Sequence, residues 1–161
     1  MIPSSLKKRI LAAAAAGASA ATLAGILITH HEGRVYVPYR DPGRGTLTVC
    51  DGHTGPDIIP NKRYTDPECD ALLAKDSADA EAAVDRLVKV PISRFHKAAL
   101  IDFAFNKGSG NLATSTLLRL TNEGRPDEAC GEYHRWVKAG GRVLPGLVNR
   151  AEADAWVCSL S

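Results

Sequence analysis

The chain has no acidic residue before Glu32 and no cysteine before Cys50, so its first part differs from the rest. That first part holds three basic residues, whereas residues 32–161 hold 17 basic and 18 acidic residues and are close to neutral. A near-neutral body excludes a protein that binds nucleic acid through a basic surface. The 161 residues, 45% hydrophobic and 24% charged, have the composition of one globular domain with a buried core.

Residues 10–29 contain no charged side chain and directly follow the three basic residues at positions 7–9. As one helix, twenty residues would span about 30 Å, which is the thickness of a bilayer core. Nine of them are alanine and six are strongly apolar, so those six would contribute only roughly −2 to −4 kcal/mol to insertion. The sequence therefore predicts a marginal membrane segment.

Three interpretations of this segment remain open. It is a signal peptide cleaved after Ala18-Ser19-Ala20, an alanine-rich helix of a soluble core, or a membrane segment that inserts and later leaves. We favour the third, in which residues 1–29 anchor the chain and residues 30–161 form the exported domain. The basic flank would stay in the cytoplasm, which places the exported domain in the periplasm.

Turn-forming residues are concentrated in residues 33–58, among valine, tyrosine and threonine residues that favour strands. Thr65-Asp66-Pro67-Glu68 then has the spacing of a capping box, which predicts a long helix that Pro91 stops. Apolar residues recur at helical spacing in four further segments. We therefore expect an α+β fold, with a small N-terminal β lobe and a larger helical lobe.

The number of cysteines is even, and disulfide bonds persist in the periplasm, so two bonds in three possible pairings are allowed. We favour the pairs Cys50–Cys69 and Cys130–Cys158, with buried free thiols as the alternative. The histidines near Cys50 lack the spacing of a zinc motif, so we predict no metal site.

Two carboxylates, Glu32 and Asp41, are nine residues apart, where a hairpin would fold them toward one cleft. Glycosidic bond cleavage needs such a pair, since one carboxyl group donates a proton while the other stays ionised. The same residues are also compatible with structural roles: Glu32 paired with Arg34 or Arg40, Asp41 capping a turn, and Thr48 as a strand residue.

Three ordered blocks of sequence resemble the phage-type lysozymes, glycoside hydrolase family 24. The blocks are Glu32-Gly33 with Asp41 and a threonine before Gly52-His53, then residues 103–110 with 115–118, then residues 136–152. The resemblance covers residues 30–158 and implies a lysozyme-like fold.

The resemblance also implies an inverting muramidase that cleaves peptidoglycan without a cofactor. Glu32 would be the general acid, Asp41 would activate or position the attacking water, and Thr48 would orient that water. Thr48 follows Asp41 by seven residues where six is usual in the family, so the loop of residues 42–45 is one residue longer and Thr46 is a rival for the role.

Other matching positions would line the sugar cleft, namely Asn106, Ser115 and Thr116, whereas Arg150 would be an ion-pair partner that orders the helical lobe. Two rival functions remain: a lytic transglycosylase, and a membrane-tethered protein that binds peptidoglycan without cleaving it.

With its weak N-terminal membrane segment, the chain resembles the signal-arrest-release (SAR) endolysins of lambdoid phages. This implies an uncleaved helix that holds the enzyme inactive at the host inner membrane. When a phage pinholin depolarises that membrane, the helix would leave it and a soluble monomer would enter the periplasm. No cysteine lies in residues 1–49, which favours activation by refolding over thiol exchange.

Overall fold

The computed structural model describes residues 1–42 and 45–161, and within them helices outnumber strands, as the predicted α+β class requires. A sheet of three antiparallel strands in the order β1-β2-β3 precedes most of the helices, and a short β4-β5 hairpin follows later. The strands are β1 (Val35–Arg40), β2 (Leu47–Cys50), β3 (His53–Thr54), β4 (Lys138–Ala139) and β5 (Arg142–Val143). The helices are α1 (Ser4–Ala15), α2 (Ala20–His31), α3 (Asp66–Leu87), α4 (Arg94–Lys107), α5 (Ser109–Ala113), α6 (Thr116–Asn122), α7 (Pro126–Gly131) and α8 (Pro145–Cys158), with a 3-10 helix at Glu132–Arg135.

The apolar N-terminal segment, expected as one helix over residues 10–29, is divided between two helices. Gly17 has a left-handed backbone (φ +81°), a conformation in which glycine is not penalised. Ser19 then caps α2, since its hydroxyl accepts a hydrogen bond from Thr22 N at 3.2 Å. Among the described residues, none of the helices combines the length and hydropathy that crossing a bilayer requires.

The main core surrounds α4, against which α2, α3 and α8 pack. The N-terminal helices belong to this core, because Leu6, Ile10, Leu23 and Leu27 are fully buried in it. Burial of each such side chain stabilises the folded state by about 1.5–3 kcal/mol. Residues 1–29 are thus packed into the same core as the rest of the described chain.

Helix α3 begins at the predicted capping box. Glu68 accepts a hydrogen bond from Thr65 N at 2.9 Å, and Pro67 lies in the first turn, where its missing N–H costs nothing. The helix ends at Leu87, before Pro91. This prediction from local sequence is confirmed.

Two disulfide bonds connect elements that are separate in the chain, and they have the pairing that we favoured. Cys50–Cys69 joins β2 to α3, and Cys130–Cys158 joins α7 to α8. The first bond fixes the small sheet to the helical lobe.

Candidate active site

A cleft of about 630 Å³ lies between the small sheet and the helical lobe. Four of the six site residues predicted from sequence line it, namely Glu32, Asp41, Thr48 and Asn106. The other lining residues are Tyr39, Pro42, Gly52, Thr54, Phe105, Lys107, Ala139, Gly140, Leu144 and Leu147. Its size is within the range of about 300–1,000 Å³ that is usual for ligand sites.

Glu32 lies directly after α2, where the chain leaves the helix with an extended backbone. Its N–H donates to Ile28 O at 2.9 Å, so the end of the helix fixes where the side chain begins. The carboxylate is 22% exposed and accepts a hydrogen bond from Arg150 Nη1 at 2.5 Å. Its partner is therefore neither Arg34 nor Arg40, the two alternatives weighed from sequence.

Arg150, on α8, joins the cleft to the buried core. Besides Glu32 it binds Asp102 of α4 through two parallel hydrogen bonds, at 2.8 Å from Nε and 2.7 Å from Nη2. Arg150 was expected to be an ion-pair partner in the helical lobe, and it does form such pairs. Its contact with Glu32 and the identity of Asp102 were missed, because these residues are 118 and 48 positions away along the chain.

Asp41 follows strand β1 and begins the connection to β2. Its N–H donates to Thr46 O at 2.9 Å, and its carbonyl oxygen accepts from Gly45 N at 2.7 Å, so both polar groups of the Asp41 backbone have partners. Residues 43–44, within the loop that was predicted to be one residue longer, lie outside the described residues.

Thr48 is buried on β2, opposite Tyr39 of β1, and lines the cleft. Its hydroxyl donates to Thr46 O at 3.4 Å. Thr46 itself is exposed and does not line the cleft. Position in the cleft thus favours Thr48 over its rival.

The turn between β2 and β3 brings backbone against the Glu32 carboxylate. Gly52 has a left-handed backbone (φ +86°), and a Cβ atom there would lie 3.2 Å from Glu32 Oε2. The neighbouring His53 is buried and is hydrogen-bonded to Asp76 at 2.8 Å through Nδ1 and to Asp57 at 3.1 Å through Nε2. The Gly-His pair therefore shapes the cleft wall: glycine permits the close approach, and histidine ties the turn to α3.

Ser115 and Thr116 lie outside this cleft, at the start of α6. Ser115 is buried as the N-cap of that helix, where its hydroxyl accepts from Leu118 N at 3.0 Å and donates to Leu112 O at 2.7 Å. A serine just before an apolar helical run is a capping signal that was present in the sequence.

Within the described part of the chain, His96, Cys130 and Cys158 offer ligand atoms within 4.8 Å of one another. The two sulfur atoms are bonded to each other, and His96 Nε2 is 3.0 Å from Thr121 Oγ1. In this state the group lacks the thiolates that a zinc site of this type uses.

A small antiparallel sheet and a larger helical lobe that enclose a cleft containing a glutamate and an aspartate are typical of a lysozyme-like glycoside hydrolase. The family follows from the sequence comparison. The chain belongs to the phage lysozyme family, whose profile (Phage lysozyme) matches residues 29–154. The resemblance indicated by the three sequence blocks is thereby confirmed.

The chain is similar to SAR-endolysins over nearly its full length. That of Enterobacteria phage PA-2 is 43% identical over 163 aligned positions, which cover 98% of this chain and 97% of the relative. That of Enterobacteria phage P21 is 42% identical with the same coverage. Among solved structures, the muramidase domain of SpmX from Asticaccaulis excentricus is 30% identical with a TM-score of 0.78, and the match covers 86% of this chain and 95% of that one.

Proposed function

We propose that this protein is a phage endolysin that hydrolyses the β-1,4 bond between N-acetylmuramic acid and N-acetylglucosamine, without a cofactor. The observation that carries the proposal is the common cleft lined by Glu32, Asp41 and Thr48. Family membership and the SAR-endolysin relatives support a role in host cell lysis.

In the proposed reaction Glu32 protonates the leaving glycosidic oxygen. Asp41 accepts a proton from the attacking water or positions it, and Thr48 orients that water on the opposite face of the sugar. Such a displacement inverts the anomeric centre, and it needs two carboxyl groups roughly 6.5–9.5 Å apart to leave space for the water. Asn106, at the end of α4, lines the same cleft and would contact the glycan.

The test is turbidity clearing of outer-membrane-permeabilised cells by purified protein. Glu32→Gln preserves shape but cannot donate the proton, so we expect a loss of at least about 10²-fold, the lower end of general acid catalysis. Asp41→Asn should also be severely impaired. A Glu32→Gln protein that kept more than a tenth of wild-type activity would exclude Glu32 as the acid.

Product analysis separates the remaining alternatives. Hydrolysis with inversion yields a reducing sugar of the α anomer first, whereas a lytic transglycosylase yields a 1,6-anhydro end. A protein that binds peptidoglycan without cleaving it yields neither product.

We further propose that residues 1–29 first anchor the chain in the host inner membrane, with the N-terminus in the cytoplasm, and later leave the bilayer. The basic flank and the weak hydropathy of residues 10–29 support insertion that is reversible. Release would depend on depolarisation by a phage pinholin and would deliver a monomer to the periplasm.

Replacing Ala12–Ala16 with leucine should add about 0.3–0.6 kcal/mol per residue to insertion and retain the enzyme in the membrane. The measurement is the time of lysis, with the membrane fraction and the intact mass of the protein as controls for retention and cleavage. Lysis on the normal schedule would contradict the release proposal.

A further inference from the structure

Two carboxyl groups, Asp102 on α4 and Asp154 on α8, are buried side by side behind Arg150. Asp102 is fully buried, and Asp154, one helical turn after Arg150 on α8, is 3% exposed; the two carboxyl groups are close enough for each to shift the pKa of the other. Two neighbouring carboxylates in the core repel each other, and burial adds a desolvation cost for each charge. We therefore expect one of the pair to carry a proton.

The partners of each group indicate which one is protonated. Asp102 accepts two hydrogen bonds from the Arg150 guanidinium. Burial opposes its ionisation, but the charge and hydrogen bonds of Arg150 hold the pKa of Asp102 below its usual value. Among the described residues, no cation is hydrogen-bonded to Asp154, and its buried Oδ1 has no hydrogen-bond partner. Burial and the nearby Asp102 charge raise the pKa of Asp154 well above the usual value.

The proton on Asp154 decides the charge balance next to the cleft. With Asp154 neutral, Arg150 and Asp102 form one cation and one anion, so the pair carries no net charge toward Glu32. Without the proton, a second buried anion would compete for Arg150 and weaken its hold on Asp102. Within the described residues, the other titratable groups that face Asp102 or Asp154 are His31 from α2 and Tyr133 from the 3-10 helix.

Resting on the proposed role of Glu32, we propose that Asp154 is a positioning residue: as a neutral carboxylic acid it donates a hydrogen bond to Asp102 and so fixes Arg150 against the Glu32 carboxyl group. A general acid must be able to take up a proton although a guanidinium lies 2.5 Å away. Sharing that guanidinium with a singly charged Asp102 limits how strongly it favours the ionised form of Glu32.

The experiment compares Asp154→Ala, Asp154→Asn and Asp102→Asn by kcat against pH on purified glycan strands. Asp154→Ala removes the hydrogen-bond donor to Asp102. We expect kcat to fall at least about tenfold, which corresponds to an about tenfold change in the proton affinity of Glu32. Asp154→Asn restores most of that loss, because an amide N–H donates to Asp102 at every pH. In Asp102→Asn the Arg150 charge acts on Glu32 alone, so the upper limb of the pH profile should move to lower pH.

A second measurement does not depend on activity. Urea unfolding of wild type and Asp154→Asn is followed from pH 4 to pH 8. A carboxyl group that stays protonated when folded but has a pKa of about 3.9 when unfolded lowers the free energy of unfolding as pH rises above about 4. The stability of wild type relative to Asp154→Asn should therefore fall across this range.

The proposal is overturned if that stability difference is independent of pH, if Asp154→Ala keeps wild-type kcat, or if Asp154→Asn is as impaired as Asp154→Ala. Failure of the proposed function looks different, because Glu32→Gln would then remain active while the unfolding measurement still reports the Asp154 proton.

Discussion

The Glu32 carboxylate is confined from two directions, by the Arg150 guanidinium and by the backbone at Gly52. The first contact is electrostatic and the second is steric. Each is made by one residue that is distant from Glu32 in the chain, so single substitutions separate them.

Gly52→Ala should reduce activity at least about tenfold, because the new Cβ atom would lie 3.2 Å from Glu32 Oε2 and push the carboxylate from its place. The left-handed backbone adds about 1–2 kcal/mol of destabilisation. Gly124→Ala is the matched control, since Gly124 has the same kind of backbone (φ +71°) and no atom of residues 1–42 or 45–161 lies within 4 Å of where its Cβ would be. Urea unfolding and turbidity clearing measure the two effects. Equal activity loss in both variants would exclude a steric effect on Glu32.

His31, next to Glu32, should make stability depend on pH. Burial lowers the pKa of His31 to about 4, and its buried Nε2 has no hydrogen-bond partner in the part of the chain that the structure describes. Between pH about 6.5 and 4, His31 is protonated in the unfolded chain but not in the folded chain. The free energy of unfolding should therefore be unaffected above pH 6.5 and fall as the pH drops toward 4.

Because the His31 ring is partly exposed, solvent screening reduces this pH effect, and we expect the free energy of unfolding to fall by on the order of 1–2 kcal/mol. Urea unfolding at several pH values measures it, and His31→Gln should flatten the curve. A His31→Gln curve that matched wild type would show that His31 gains its proton equally in both states.

At the scale of elements, the break between α1 and α2 is held by a distant side chain. Arg94, at the start of α4, donates to Ala14 O at 3.0 Å and to Ala18 O at 2.9 Å. Ala14 O also accepts from Gly17 N at 3.0 Å, and Ala18 lies just before α2, so both carbonyl groups are at the interruption between the two helices. Arg94 thus connects the split N-terminal segment to the central helix.

Arg94→Ala should lower the free energy of unfolding by about 1 kcal/mol, a modest value because the guanidinium is exposed. Hydrogen exchange should quicken in α1 more than in α8. Arg86→Ala is the control, since Arg86 is an exposed arginine in the last turn of α3. Similar exchange in the two variants would mean that Arg94 does not secure the first helix.

At the scale of the whole molecule, the proposed release would move residues 1–29 from the bilayer into the folded core. Membrane insertion of the six strongly apolar side chains contributes roughly −2 to −4 kcal/mol. Burial of four of the large apolar side chains in the folded core contributes up to about 6–12 kcal/mol. The α-amino group of Met1 also contacts Glu152 on α8 at 2.5 Å, and Lys7 lies over Trp156. The folded location is favoured once the segment is free of the bilayer.

Membrane voltage should oppose that escape, because the N-terminal amine and the three basic residues at positions 7–9 must move outward against an interior-negative potential. Four charges at about 2.3 kcal/mol per 100 mV give roughly 9 kcal/mol, which depolarisation removes. Changing residues 7–9 to glutamine, in protein that still inserts correctly, should raise release from polarised membranes more than from depolarised ones. The soluble periplasmic fraction with and without an uncoupler measures this. Equal proportional acceleration in both conditions would show that voltage on these charges is not the restraint.

Sequence by itself determined the features that depend on neighbouring residues. The capping box at Thr65 forms through hydrogen bonds between residues three apart, so the sequence alone predicts it. The Glu32, Asp41 and Thr48 pattern was recognised through its resemblance to the phage-type lysozymes, and these residues lie within a short stretch that ends in the β1-β2 hairpin.

Tertiary structure alone decided which distant groups meet. The contacts of Arg150 with Glu32 and with Asp102 follow from how α2, α4 and α8 pack, and no local pattern encodes that packing. The division of residues 10–29 into two helices was decided in the same way. A glycine allows a break, but the buried core and the Arg94 contacts hold the segment folded on both sides of it.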